Sequence, residues 1–390
     1  MLPREFPMSD FIFRIQPNIV LGSYAVSRLG EFAGSVGTKF MLVLDPILRQ
    51  VGLADKITQS LNDRKVNFFV FEDISGISDT QTLAKSLNLA RQAHIDGVLA
   101  VGGSKVMNLG RAAASLFNEE KDVYSLLDAG TDTTVEPLPL ICVPSTIRDA
   151  FIFSSRIPLV DSRSDAIRLL KAQPRLCHQV LFDPNLTLPL SEKQTAAMQL
   201  ETLCIAVESY LSQKASFFSD MIAEKSVELI SYAVDGSPSL EITTPQEVLL
   251  SEGGCMASLA AATASLGAAS LLSLCINSRF KISRSLAAAI LFPYVLDDAV
   301  KFRQDRVAKL SRILRATPAD SDVAKAASDL ADYVRQKLAK ANLPTRLKDL
   351  GVSIEQLSLV AEDGSKLELM SSLPRSMTSD DLFDLIKQAY

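Results

Sequence analysis

The chain has 390 residues, 47% hydrophobic and 22% charged, with a formal net charge of −5 and a pI near 5.3. That length suffices for two domains with cores of their own, and the acidic balance leaves no electrostatic footprint for nucleic acid or an anionic membrane. The cysteines (Cys142, Cys177, Cys204, Cys255 and Cys275) are odd in number, scattered and without a CxxC pair. Neither a disulfide framework nor a thiolate zinc site is expected, and the cytoplasm is the natural compartment. Arg4 and Glu5, with no uninterrupted apolar run nearby, argue against a signal peptide.

In chain order, Phe11–Ile15 and Ile19–Leu21 read as short strands flanking a turn at Pro17–Asn18. Phe40–Leu44 is an apolar run ended by Asp45–Pro46, as in a parallel strand buried on both faces. Leu53–Leu61 has helical spacing, Val66–Phe71 is strand-like, and Thr80–His94 is amphipathic, with Leu83, Leu87, Leu89 and Ala90 on one side. A strand over Val98–Val101 turns at Gly102–Gly103 into a helix from about Lys105. Leu138–Val143 follows, and Val180–Phe182 is the last strand predicted. Repeated βα units predict a mostly parallel sheet covered on both faces.

Beyond Pro189 the apolar spacing is helical throughout. Ser191 and Glu192 open a helix, Pro293, Pro344 and Pro374 break helices, Gly351 and Gly364 fall at C-caps, and Thr378 with Asp381 caps the last helix. Gly253–Ile276 carries no charge and is long enough to cross a bilayer. Ala, Ser, Thr and Gly dominate it, so a tightly packed buried helix is expected instead. The predicted division is an α/β domain over residues 1–188 and an all-helical domain over 189–390, with a loop at Asp235–Pro245.

The strongest local signal for chemistry is Val98-Leu-Ala-Val-Gly-Gly-Ser-Lys105. Glycines after a strand let a ligand approach the backbone, and the N–H groups at the helix start point at an anion such as pyrophosphate. Ser104 can cap that helix or touch phosphate, and Lys105 adds a positive charge. The same turn also serves plain packing, and it is not GxGxxG. Asp45, at a strand's C-terminal end, is the right type to accept from a ribose diol and to repel the 2′-phosphate of NADP; the alternative is a turn aspartate before Pro46. Ser145 and Thr146 are candidate hydroxyl donors to a nucleotide, or simply a polar loop.

These stretches, with Pro17–Gly22, Leu42–Asp45, Phe182-Asp-Pro-Asn-Leu-Thr-Leu188, Ala206-Val-Glu-Ser-Tyr210 and Leu373-Pro-Arg-Ser-Met377 through Tyr390, run collinear over nearly the whole chain. Together they resemble the iron-containing alcohol dehydrogenases, the superfamily that includes glycerol dehydrogenase and dehydroquinate synthase. The resemblance implies a dinucleotide-binding α/β domain followed by an all-α domain, the dehydroquinate synthase-like fold, with NAD(H) as cofactor. It places Asp45 at the adenosine ribose, Gly102, Gly103, Ser104 and Lys105 under the pyrophosphate, and Ser145 and Thr146 on the nicotinamide side. A small polar alcohol or carbonyl substrate in the interdomain cleft and a homo-oligomer follow from the same likeness.

Family members also hold one divalent metal, iron or zinc, through an aspartate and histidines of the helical domain, as a Lewis acid for hydride transfer. The matching positions here read Glu201, Ile205, Ser270 and Arg284, with Leu274 where a further histidine often stands. The two histidines, His94 and His178, lie in the first half and read as structural. Such a set is not expected to retain a transition metal. Arg284 could instead pair with Glu201 and act as electrophile, or bind a substrate carboxylate or phosphate. The alternative is a salt bridge closing a dead site, in a catalytically inactive homologue that serves as a nucleotide-binding or scaffold protein.

Overall fold

The computed structural model describes residues 17–74, 76–187, 189–236 and 244–390. The strand predicted at Phe11–Ile15 and most of the loop predicted at Asp235–Pro245 lie outside them. The described strands are β1 (Asn18–Leu21), β2 (Lys39–Leu44), β3 (Asn67–Phe71), β4 (Gly97–Gly102), β5 (Leu140–Pro144), β6 (Arg156–Asp161), β7 (Ala166–Lys171) and β8 (Gln179–Phe182). Six of them form one parallel sheet in the order β1-β8-β5-β4-β2-β3, while β6 and β7 pair antiparallel.

Helices α1 (Leu29–Gly34), α2 (Pro46–Gln50), α3 (Ala54–Asp63), α4 (Thr80–Ala93), α5 (Ser104–Leu116) and α6 (Val123–Ala129) belong to this half. Alternate residues of one strand feed opposite faces. Phe40, Leu42 and Leu44 pack with Leu29, Ile57 and Leu61 of α1 and α3; Met41 and Val43 pack with Leu83 and Leu87 of α4 and Met107 of α5. The connections after β2 and β4, adjacent strands, therefore leave on opposite faces. The crevice between their C-terminal ends is a topological switch point, where open α/β sheets bind ligands.

The second half is helical: α7 (Glu192–Leu211), α8 (Phe217–Asp235), α9 (Gln246–Thr263), α10 (Ala268–Phe280), α11 (Arg284–Ile313), α12 (Val323–Lys340), α13 (Ile354–Ser365) and α14 (Ser379–Ala389). Ser191 closes a capping box on α7, as do Thr378 and Asp381 on α14.

Four readings of the sequence need correction. Val180–Phe182 is not the only strand after β5, because β6 and β7 intervene. Pro158 and Arg168 interrupt their apolar pattern, and Val160 and Ile167 join the core of the helical half rather than that of the sheet. Pro293 does not break a helix but lies inside α11, at the loss of one backbone hydrogen bond. Ala287–Pro293 is wholly buried, so tertiary packing overrides propensity there. Gly364 is not a C-cap; it lies in the last turn of α13, where a Cβ would meet Leu272 Cδ2 at 2.9 Å.

Gly253–Ile276, finally, is not one helix: α9 and α10 meet at 98°, and no single described helix is long and apolar enough to cross a membrane. Buried Glu208 explains the break, accepting the N–H groups of Gly267 (3.1 Å), Ala269 (2.7 Å) and Ser270 (3.2 Å) at the start of α10. Burial raises its carboxyl pKa, and these donors oppose the rise.

The two halves meet where α9 crosses the loop after β5. A Cβ on Gly254 would lie 1.8 Å from the carbonyl oxygen of Ile147, so only glycine permits the approach. Gly254→Ala is accordingly expected to cost about 1–3 kcal/mol, the range for overpacking, seen as a lower urea midpoint at unchanged m-value.

Candidate active site

Strand register sets up the sheet side of the site. Leu44 pairs with Val101 and Gly102 with Pro144, which aligns Asp45, Gly102–Lys105 and Ser145–Thr146 along one edge. Gly102 has φ +157°, and a Cβ there would come within 2.6 Å of Asp45 Cβ and 2.8 Å of Val106 Cγ2. Gly103 is different: the nearest atom to its Cβ would be Asp45 Oδ2 at 3.6 Å, leaving open space beside the start of α5. No side chain caps that helix, so its first N–H groups face outward.

Asp45 is buried and already employed. Its carboxylate accepts from Ile47 N–H (3.4 Å) and Gly103 N–H (3.3 Å) and pairs with Lys105 Nζ (3.3 Å). Ser145 N–H donates to the Gly102 carbonyl (2.8 Å), and Thr146 Oγ1 donates to the Arg148 carbonyl (2.7 Å). Here Asp45 fixes the glycine turn, and Thr146 fixes the loop that follows β5.

That loop, Ile147-Arg-Asp-Ala-Phe151, is sewn to the helical half. Ile147 N–H points at Met198 Sδ (3.4 Å), and Asp149 N–H donates to Ser258 Oγ (3.1 Å). It carries Arg148 to Glu201, in mid-α7. The Glu201 side chain is 2% exposed and lies between two guanidiniums. Arg148 Nη2 donates to its Oε2, Arg284 Nε to its Oε1 (2.9 Å), and Ser285 Oγ to its Oε2 (2.5 Å). Arg148 Nη2 also reaches Ser285 Oγ (2.8 Å), and Arg284 Nη2 reaches Ser104 Oγ (3.0 Å) across the cleft. Arg284 and Ser285 open α11, so the helix terminus adds its own partial positive charge beside the carboxylate.

Burial and then Arg284 push the Arg148 guanidinium down to about 9, with Asp149 opposing. Burial also lowers Arg284 and Arg111, again against Asp149. At neutral pH the ion pair with Glu201 keeps Arg148 charged.

A cavity of about 300 Å³ opens above this cluster. Ser104, Lys105, Asn108 and Thr146 line its sheet side; Arg148, Arg284, Ser285, Leu274 and Asn277 line the helical side; Pro158, Val160 and Ile167 of the β6–β7 hairpin form a wall. Of the positions singled out in the sequence, Ser104, Lys105, Thr146, Leu274 and Arg284 thus meet in one space. Glu201 lies directly behind it, bonded to three of its lining residues. Ile205 and Ser270 are buried, Ser270 Oγ standing 4.0 Å from Cys204 Sγ. His94 is the left-handed C-cap of α4, and His178 precedes β8. Among the described residues, no group of three or more His, Cys, Asp and Glu side chains is placed to hold a metal ion.

Sequence reasoning missed Arg148, Ser285 and the hairpin wall. The one available signal was the charged Arg148-Asp149 pair inside an otherwise apolar run.

The profile of iron-containing alcohol dehydrogenases matches residues 16–184, and that of the family's C-terminal part matches 195–390. The chain belongs to the iron-containing alcohol dehydrogenase family. It is 24% identical to a 1,3-propanediol dehydrogenase of Citrobacter freundii over 391 residues, covering 99% of this chain and 100% of that one. The fold of this family member superposes on a crystal structure of 1,3-propanediol oxidoreductase with a TM-score of 0.88 at 22% identity (96% and 98% of the two chains). It superposes on a sulfoacetaldehyde reductase of Bifidobacterium kashiwanohense in complex with NAD⁺ with a TM-score of 0.81 at 18% identity (97% and 99%).

Within this dehydrogenase fold Glu201 is the counter-charge for two guanidiniums. Glu201→Gln leaves both without it and is expected to cost about 3–5 kcal/mol, as when one partner of a buried ion pair is removed. Equilibrium denaturation of the variant against the natural chain measures this.

Proposed function

We propose that the chain is an NAD(H)-dependent oxidoreductase for a small polar alcohol or carbonyl compound, acting in the cleft without a metal ion. The arrangement that carries this reading is the Arg148–Glu201–Arg284 cluster, set behind an open cavity beside the glycine turn.

A dication does not suit this donor set. One carboxylate, covered by two guanidiniums, is joined by an isoleucine, a serine and an arginine at the positions that the family resemblance assigns to ligands. A dinucleotide does suit its side of the cleft. The Gly102–Gly103 turn admits a pyrophosphate to the uncapped start of α5, with Ser104 and Lys105 beside it. Asp45 would meet the ribose only with the acceptor capacity left by Ile47, Gly103 and Lys105, a carboxylate there disfavouring a 2′-phosphate, and Ser145 and Thr146 would flank the nicotinamide side.

When bound, the dinucleotide exchanges hydride with the substrate carbon, the substrate oxygen gaining or losing a proton. Arg284 and Arg148 polarise that oxygen. Their N–H dipoles are already oriented by Glu201, so little reorganisation accompanies the build-up of negative charge.

One observation favours a second reading, a catalytically inactive homologue that binds a nucleotide or acts as a scaffold. Glu201 already accepts from Arg148, Arg284 and Ser285, and Arg284 also bonds Ser104, so the cluster is complete without a substrate.

Two measurements separate the readings. NADH fluorescence titration is expected to give saturable binding, tighter than for NADPH; no binding at millimolar NADH would favour the scaffold. In an active preparation free of stoichiometric iron or zinc by elemental analysis, Arg284→Ala is expected to lower kcat by about 10²–10³, the effect of deleting one oxyanion donor. A purely structural arginine would lower only the melting temperature.

A further inference from the structure

Neither the glycine turn nor the arginine cluster employs Asn108. It stands four residues after Ser104 on α5, about 6 Å further along the axis and on the same face. It lines the cavity, is 6% exposed, and its Oδ1 is buried with no hydrogen-bond partner among the described residues. The polar side chains around it are engaged: Ser104 accepts from Arg284, Thr146 donates to the Arg148 carbonyl, Ser285 donates to Glu201, and Asn277 donates to the Ile282 carbonyl. A buried acceptor left unsatisfied is destabilising, so Oδ1 calls for a donor that arrives from the cavity.

The proposed chemistry limits what that donor can be. Hydride passes between a dinucleotide and a substrate carbon only at contact distance, so the nicotinamide ring must enter the same cavity as the oxygen held by Arg148 and Arg284. The arginines are then taken by the substrate, and Asn108 is not. The one polar substituent on the ring is a carboxamide, with two N–H donors and one acceptor oxygen. Asparagine ends in the same group, and two primary amides satisfy each other head to tail, N–H to carbonyl oxygen in both directions. Turning the Asn108 amide by half a turn leaves the match intact. Pro158, Val160 and Ile167 give the cavity an apolar wall, which suits the face of an aromatic ring.

We infer that Asn108 recognises the nicotinamide carboxamide, its Oδ1 accepting from the carboxamide N–H, and so sets how the ring is turned when it meets the substrate. This deepens the proposed function and rests on it for the presence of a dinucleotide. A neutral acceptor suits the task, because the ring is cationic when oxidised and uncharged when reduced. An amide holds both forms without favouring either, whereas a carboxylate at 108 would favour the cation.

The test is isothermal titration of the full chain with NAD⁺, NADH, the 3-acetylpyridine analogue of NAD⁺ and ADP-ribose. The methyl ketone of the analogue keeps the acceptor oxygen and lacks the N–H donors; ADP-ribose lacks the ring. NAD⁺ is expected to bind about tenfold tighter than the analogue, the effect of one hydrogen bond to a buried acceptor. Asn108→Leu, shown folded by circular dichroism, is expected to remove that preference and leave ADP-ribose unchanged. Asn108→Asp, which keeps the acceptor and serves if the leucine variant does not fold, is expected to retain the preference and to favour NAD⁺ over NADH severalfold more than the natural chain does. Equal affinities of the natural chain for NAD⁺ and the analogue overturn the inference. So does a preference that survives Asn108→Leu, a loss of ADP-ribose binding in that folded variant, or an unmoved ratio of NAD⁺ to NADH affinity in Asn108→Asp. In each of these cases the natural chain still binds the nucleotide and the oxidoreductase reading stands; a natural chain that binds neither ADP-ribose nor NAD⁺ sinks that reading and this inference with it.

Discussion

Glu201 is the charge on which the site depends. It lies in the middle of a long helix, almost out of contact with water, and two guanidiniums and a serine hydroxyl converge on it from two separate segments. An isolated carboxylate at that depth would be strongly destabilising, and so would either arginine. Each is tolerated because the others are there, which ties the loop after β5, the start of α11 and the centre of α7 to one another. The surrounding packing then has little freedom, and glycine at 254 and at 267 follows from it. One lets α9 press against the loop that carries Arg148; the other lets Glu208 reach the backbone at the break between α9 and α10.

Much of the architecture was legible in one dimension. Parallel strands covered on both faces are continuous apolar runs, and β2, β4, β5 and β8 read that way. The caps at Ser191 and at Thr378 with Asp381 are local devices and were equally plain. The hairpin β6–β7 was not, because its apolar residues divide between the sheet core (Ile157, Leu159, Leu170) and the helical core (Val160, Ile167) and its strands are broken by Pro158 and Arg168. Pro293 misled for a related reason: local propensity argues for a break, and burial on every side of α11 outweighs it.

The site divides along the same line. Glu201 and Arg284 could be paired from the sequence because the family resemblance puts both where metal ligands stand. Arg148 carried no such marker. It is 53 residues from Glu201 in a loop without periodicity, and only the three-dimensional path of that loop across α9 makes it a neighbour. Asp45 was read as a ribose acceptor or a turn aspartate before Pro46, and its carboxylate caps α2 while also holding the glycine turn and Lys105, contacts that strand-end position alone does not reveal.

The anchoring of the Arg148 loop bears on how the cleft could move. Ile147 and Asp149 are fastened to α7 and α9, so Arg148 travels with the helical half although its chain neighbours come from the sheet. A swing of one half away from the other would stretch the Arg284–Ser104 bond and leave the arginines and Glu201 together as a unit. At the rim of the glycine turn that bond ends on a serine hydroxyl, while Arg156 and Lys171 of the hairpin hold Glu368 of the helical half on the other flank.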